Sequence, residues 1–88
     1  MGSRRTPGDR VREWRAREGV TLAQLSASIG DRSGQLQRWE SGDRPTLPLR
    51  MKVGIAQRTG IALHLIVDRD ELDLAKTMVD LLARDAAA

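Results

Sequence analysis

The stretch that decides the fold is Thr21-Leu22-Ala23-Gln24-Leu25-Ser26-Ala27-Ser28-Ile29-Gly30-Asp31-Arg32-Ser33-Gly34-Gln35-Leu36-Gln37-Arg38-Trp39-Glu40-Ser41-Gly42, two short helical patterns separated by a few residues. Thr21 can accept the amide of Gln24 while the Gln24 side chain reaches back, a reciprocal cap that contributes about 1 kcal/mol, and Val20 can staple onto Leu25. The spacing predicts a helix from Leu22 to Ile29, with Leu25 and Ile29 buried and Gly30 as the stop. A second helix is expected from about Ser33, with Asp31 or Ser33 as its cap and Gly42 as its end. At about 100° per residue, Leu36, Trp39 and Glu40 share one face, and Ser33, Gly34, Gln37, Arg38 and Ser41 share the opposite one. Two short helices joined by a tight turn, the second with one docking face and one free polar face, read as a helix-turn-helix.

Upstream, Thr6-Pro7-Gly8-Asp9 has the cap, the first-position proline and the third-position acid of a helix start. Val11 and Trp14 then face the core, and Gly19 ends the helix. Downstream, Arg44-Pro45-Thr46-Leu47-Pro48 reads as a turn into a fourth helix from about Pro48 to Thr59, closed by Gly60. Leu49, Val53 and Ala56, or Met51 and Ile55, are available to its packed face. Gly54 costs that helix roughly 1 kcal/mol relative to Ala, which points to close packing there.

From Ile61 to Asp68 the pattern changes. Ile61, Leu63, Leu65 and Val67 alternate with Ala62, His64 and Ile66, so a strand is favoured over a short fifth helix. Asp70-Glu71-Leu72-Asp73 opens a last helix with the stripe Leu72, Ala75, Val79 and Leu82, flanked by Leu74, Met78 and Leu81. Its Ala86-Ala87-Ala88 end is expected to fray. A lone strand needs a partner, and the same strand from a second copy is the simplest one. A homodimer through Ile61, Leu63, Leu65, Val67, Leu72, Val79 and Leu82 follows as an expectation.

Composition narrows the function. The 88 residues carry 15 Lys or Arg, 12 Asp or Glu, one His and no Cys. A structural zinc site and disulfides are thereby excluded. No apolar run reaches the roughly 20 residues of a membrane span and nothing reads as a signal peptide, so a cytoplasmic protein with no membrane partner is expected. Residues 1–60 hold 12 basic and 6 acidic side chains, a net +6, while residues 61–88 hold 3 and 6, a net −3. A basic first part suits phosphate backbones, and an acidic amphipathic tail suits protein contact. No Ser-His-acid set, phosphate loop or acid-base pair is present, so an enzyme is not expected, and no metal or other cofactor is called for. His64 has no ligand-spaced neighbours and reads as a surface or interface residue. Trp14 and Trp39 read as packing residues rather than base-stacking ones.

With those residues in view, Thr21-Leu22-Ala23-Gln24-Leu25-Ser26-Ala27-Ser28-Ile29-Gly30 followed by Leu36-Gln37-Arg38-Trp39-Glu40-Ser41-Gly42 resembles the phage-repressor (Xre or Cro-type) family of helix-turn-helix DNA-binding domains. The resemblance covers Arg10 to Gly42 without gaps and extends more loosely to Gly60. It departs at Ser26, where the family usually has Ala, at Asp31, where it has a small apolar residue, and at Leu22, where it often has Gln. Gly34 stands where the family often has a base-reading side chain.

The resemblance implies a mainly α, lambda-repressor-like bundle of four helices, then the C-terminal strand or short fifth helix, and the final amphipathic helix for dimerisation. Residues 1–60 would be the DNA-binding region and 61–88 the dimerisation or partner-binding extension. It implies double-stranded DNA as partner, with Ser33, Gln35, Gln37 and Arg38 at the bases and Thr21, Arg32, Ser41 and Arg44 at the backbone; Arg4 and Arg5 are further candidates. Arg15 is implied to pair with Glu40. The function implied is that of a sequence-specific transcriptional regulator, a repressor on a palindromic operator with half-sites about 34 Å apart. The alternative is an antitoxin or anti-activator that masks a protein partner through residues 61–88.

Overall fold

The structure, a computed structural model, describes residues 5–44 and 46–87. Arg4, the Pro45 of the expected turn and the terminal Ala88 lie outside the described residues. The chain is mainly helical and divides into two compact units, Met1–Leu47 and Pro48–Ala88. The fourth helix falls in the second unit, where it packs against the last one.

The first unit holds α1 (Pro7–Glu18), α2 (Leu22–Ser28) and α3 (Gln35–Ser41), with α3 packed against both others. Its start signals act as their chemistry requires. Thr6 and Asp9 form a reciprocal cap on α1, with Thr6 Oγ1 accepting the Asp9 amide at 3.0 Å and Asp9 Oδ2 accepting the Thr6 amide at 3.1 Å. Thr21 and Gln24 do the same on α2 at 3.0 and 2.9 Å. Val11, Leu25, Leu36, Trp39 and Leu47 are the buried apolar residues of this unit, and Trp14 is half-buried.

At Gly8, α1 lies against the backbone of α3. A Cβ there would stand 2.9 Å from the Glu40 carbonyl oxygen and 3.0 Å from the Glu40 Cα. Hydrogen in place of a side chain at Gly8 lets α1 touch the backbone of α3.

The second unit holds α4 (Leu49–Thr59), two 3-10 turns at Leu63–Leu65 and Arg69–Glu71, and α5 (Leu72–Ala87). One cluster of its buried residues is Val53, Val67 and Ala75, with Leu49, Leu63, Leu72, Met78 and Val79 packed around it, and Ile55, Ala56 and Ile66 are buried as well. Lys52, only 3% exposed, donates to Glu71 Oε1 at 2.9 Å and lies 3.7 Å from Asp68. Glu71 also accepts the Asp68 amide at 3.1 Å, so the carboxylate that caps the entry to α5 also neutralises a buried cation of α4.

The strand expected over Ile61 to Val67 is not formed, and the described residues contain no β-strand. The second half of the segment bonds within itself: Leu65 donates to Ala62 O, and Ile66 and Val67 both donate to Leu63 O, each at 3.0 Å. Ile66 and Val67 are adjacent and both buried, which an alternating strand does not allow. With three of its amides bonded inside the turn and no strand formed, the segment does not present the unpaired strand edge from which pairing with a second copy is expected. Other boundaries move by one or two residues: α2 ends at Ser28, α3 begins at Gln35, Pro48 is the cap of α4, and a 3-10 turn precedes α5.

Candidate functional site

The free face of α3 is the most distinctive surface of the first unit. Ser33, Gln37, Arg38 and Ser41 are exposed there, Arg32 is exposed just before it, and Gln35 is half-buried at its edge. Glu40, the one acid between Arg32 and Gly42, is buried. The exposed groups are therefore amides, hydroxyls and guanidinium groups, a mixture of neutral donors and acceptors with positive charge.

The position of α3 is fixed at its start by Asp31. This carboxylate is 9% exposed and accepts the amides of Ser33 (3.2 Å), Gln35 (3.2 Å) and Leu36 (2.9 Å). Two of those amides belong to the first turn of α3, which has no intrahelical acceptor for them. Burial alone would raise the Asp31 pKa, but the three amide bonds and the nearby Arg38 charge outweigh it and hold the carboxyl below its ordinary value of 3.8. Gly34 is the backbone cap at φ +76°, a left-handed conformation that a β-carbon disfavours. A glycine in this slot brings the chain into the helix, and the turn takes precedence over a side chain that would extend the free face.

The other end of α3 is tied to α1. Arg15 donates through Nε to Glu40 Oε2 at 3.1 Å and through Nη2 to Oε1, a two-pronged ion pair at a carboxylate only 6% exposed. The hydrogen bond to Glu40 holds the Arg15 pKa above its ordinary value. Arg12 adds a bond from Nη2 to the Glu40 carbonyl at 2.8 Å, and its Nε stands 3.7 Å from Oε1. Arg15 Nη1 also donates to Val20 O at 3.4 Å, which joins the α1–α2 connection to the same pair.

Arg38 folds back along its own helix, donating from Nη2 to Ser33 O at 3.0 Å. A guanidinium has five donors, so most of its capacity remains available. The Ser41 hydroxyl donates to Arg38 O at 3.1 Å, and the Thr21 hydroxyl is engaged as the α2 cap. Arg44 is half-buried; its Nε donates to Thr46 O at 2.9 Å and its amide to Arg38 O at 3.0 Å, which fastens the loop after α3. Arg5, at the other end of the unit, pairs with Glu13 at 3.3 Å.

The residues expected at a dimer interface are arranged differently. Leu63, Val67, Leu72 and Val79 belong to the packed interior of the second unit, Ile61 and Leu65 are half-buried, and Leu82 is 45% exposed. Once the 61–67 segment coils, Leu63 and Val67 pack with Val53 of α4 and Ala75 of α5. Leu74 and Leu81 are more exposed than Leu82, at 59% and 52%.

Asp31 could be read from the sequence only as one of two caps, since its triple acceptance depends on the left-handed Gly34 bend that returns the chain to it. The contact of Arg12 with Glu40 has no local signal at all, because 28 residues separate the two. Among the described residues no cluster of three or more His, Cys, Asp or Glu could hold a metal ion, and no helix is long and apolar enough to cross a membrane. Compared with known proteins, the chain matches no family model, no curated protein and no solved structure.

Proposed function

We propose that α2 and α3 form a helix-turn-helix of the phage-repressor type and that the chain is a sequence-specific transcriptional regulator, a cytoplasmic repressor that occupies a palindromic operator as a homodimer. On this reading α3 enters the major groove of double-stranded DNA. Arg38 reads guanine, whose two acceptors match the guanidinium fork, while Ser33 and Gln37 address neighbouring base edges and Gln35 lies at the margin. Arg32, Arg44, Ser41 and the Thr21 end of α2 contact the sugar-phosphate backbone.

The observation that supports this best is the exposed Ser33–Gln37–Arg38 face on a helix fastened at both ends, by Asp31 at its start and by Arg15 with Glu40 near its close. A reading head must keep its geometry while leaving donors and acceptors to spare; Arg38 spends one of its five donors on Ser33 O, and the Gln37 side chain is exposed beside it. The resemblance of Arg10 to Gly42 to the phage-repressor family is the second support.

Selection of bound sequences by the purified full-length chain from a random double-stranded pool tests the proposal. An enriched palindrome with half-sites about one helical turn apart is the expected result. Failure to enrich any sequence, with binding the same on all DNA, would overturn it. The alternative role, masking a protein partner through residues 61–88, is favoured only by the exposed leucines of α5 and predicts a stable complex with a second small protein.

A further inference from the structure

We infer that the second unit holds a binding site for a free α-amino acid with a large apolar side chain, in the cleft between the end of α4, the 61–63 link and the middle of α5. The cleft has a volume of about 440 Å³, within the roughly 300 to 1,000 Å³ of small-molecule sites. Its apolar side is made by Ala56, which is buried, and by Ile61, Leu63 and Val79, which are half-buried. Half-buried apolar side chains are held by their packing and still gain from a further apolar contact. Three exposed polar residues complete the lining, Gln57 from α4 and Lys76 and Asp80 from α5. The site lies wholly within the Pro48–Ala88 unit and uses no residue of α3, so it is independent of what α3 binds.

Charge selects the occupant. Lys76 and Asp80 stand one turn apart on α5, about 6 Å along its axis and about 40° around it, and both line the cleft. Among the described residues neither takes part in an ion pair, with the other or with a third group. Lys followed by an acid is also the less favourable order for a pair at this spacing on a helix. A purely apolar occupant would take water from both charges and return nothing. An anion would meet Asp80, and a cation would meet Lys76. A zwitterion satisfies both at once, with its carboxylate accepting from the Lys76 ammonium and its own ammonium donating to the Asp80 carboxylate. An α-amino acid carries those two groups and its side chain on one carbon, which leaves the side chain to lie on Ala56, Ile61, Leu63 and Val79. Gln57, from the α4 side, offers a donor and an acceptor to the same polar end. The volume has room for the larger side chains, and their burial supplies the greater part of the binding.

Isothermal titration of the full chain without DNA, with L-phenylalanine, L-leucine and L-methionine as probes, tests this. Saturable binding of at least one of them is expected, with a dissociation constant between about 10 µM and 1 mM. Glycine, which has both charges and no apolar body, should bind at least about tenfold more weakly than that probe. Analogues of the probe that lack either the ammonium or the carboxylate should each lose about fivefold or more. Lys76→Ala and Asp80→Ala change exposed residues, so their circular-dichroism melts should match the parent's while each weakens binding by about fivefold. Lys76→Ala should also cease to prefer the amino acid over the amine that lacks its carboxylate. No saturable binding of any of the three probes up to about 10 mM overturns the inference. So does full binding by either alanine variant, and so does an analogue with one charge that binds as tightly as the amino acid, which would make the cleft a site for simple amphiphiles. If an alanine variant fails to fold, Lys76→Gln or Asp80→Asn replaces it and is read in the same way.

Discussion

Removing the Glu40 carboxylate, 6% exposed, leaves the Arg15 guanidinium without its two acceptor oxygens and takes away the charge 3.7 Å from Arg12, whose bond to the Glu40 carbonyl stays. Breaking a buried ion pair costs about 3 to 5 kcal/mol. The Arg12 side chain is half exposed and can rehydrate, whereas Arg15 is 17% exposed and cannot do so fully. Glu40→Ala is therefore expected near the lower end, about 3 kcal/mol, read as a lowered urea midpoint; an unchanged midpoint would show that the pair contributes nothing. Gly8→Ala acts on the same junction through sterics. Its β-carbon would meet backbone atoms of Glu40 at 2.9 and 3.0 Å, which cannot swing aside, so α1 must shift at a cost of about 1 to 3 kcal/mol. Arg38→Ala belongs to the opposite class. Its side chain is exposed and makes one bond to Ser33 O, so stability should hardly change, while specific DNA binding loses about 1 to 3 kcal/mol and one base position per half-site relaxes. Equal base preference in parent and variant would remove Arg38 from the reading face.

At the level of elements, α3 is a seven-residue helix too short to be stable alone, and Asp31 supplies the acceptors that its first turn lacks. The folded-state pKa of Asp31 lies below 3.8, so the ionised group contributes stability that is present above that value and lost as pH falls through the folded pKa. Glu71 and Asp9 are shifted in the same direction, by the Lys52 hydrogen bond for Glu71 and by the Thr6 backbone amide for Asp9. Acid unfolding is thus expected to set in below about pH 4, and Asp31→Asn should flatten the dependence there, as measured by urea titrations at successive pH values; a slope identical to the parent's would remove Asp31 from the acid response. These elements differ in how far the sequence announced them. α1 and α2 are legible because their caps are local, Thr6 with Asp9 and Thr21 with Gln24, each three residues apart. The segment from Ile61 to Val67 is not, since an alternating apolar run of seven residues satisfies a strand and a coiled turn alike, and the choice rests on whether both Ile66 and Val67 can be buried. The exposed side chains of α3 follow from its rotation, but the clamp beneath them depends on Asp31 and Arg12, whose roles need the folded chain.

Across the whole molecule, charge is the property that separates the proposed partners. Residues 1–60 have a net charge of +6 and residues 61–88 of −3, so attraction to a polyanion resides in the first part alone. Binding that displaces counterions gives a log-log salt slope of about −0.9 for each phosphate neutralised. If Arg32 and Arg44 each neutralise one phosphate per protomer, a dimer neutralises about four, and the slope should be about −3.6. Arg32→Ala then removes about two contacts from the dimer and should flatten the slope by about 1.8, while weakening binding to all sequences alike. Arg38→Ala should do the converse, lowering discrimination between operator and random DNA with little change in slope, because a base contact displaces no phosphate counterion. Titrations of both variants at several salt concentrations, on operator and on random duplex, measure the two effects independently. If Arg32→Ala leaves the slope untouched, Arg32 is a solvated surface charge. If Arg38→Ala flattens the slope as Arg32→Ala is expected to, its guanidinium lies on a phosphate and the reading of sequence must be assigned to Ser33 and Gln37.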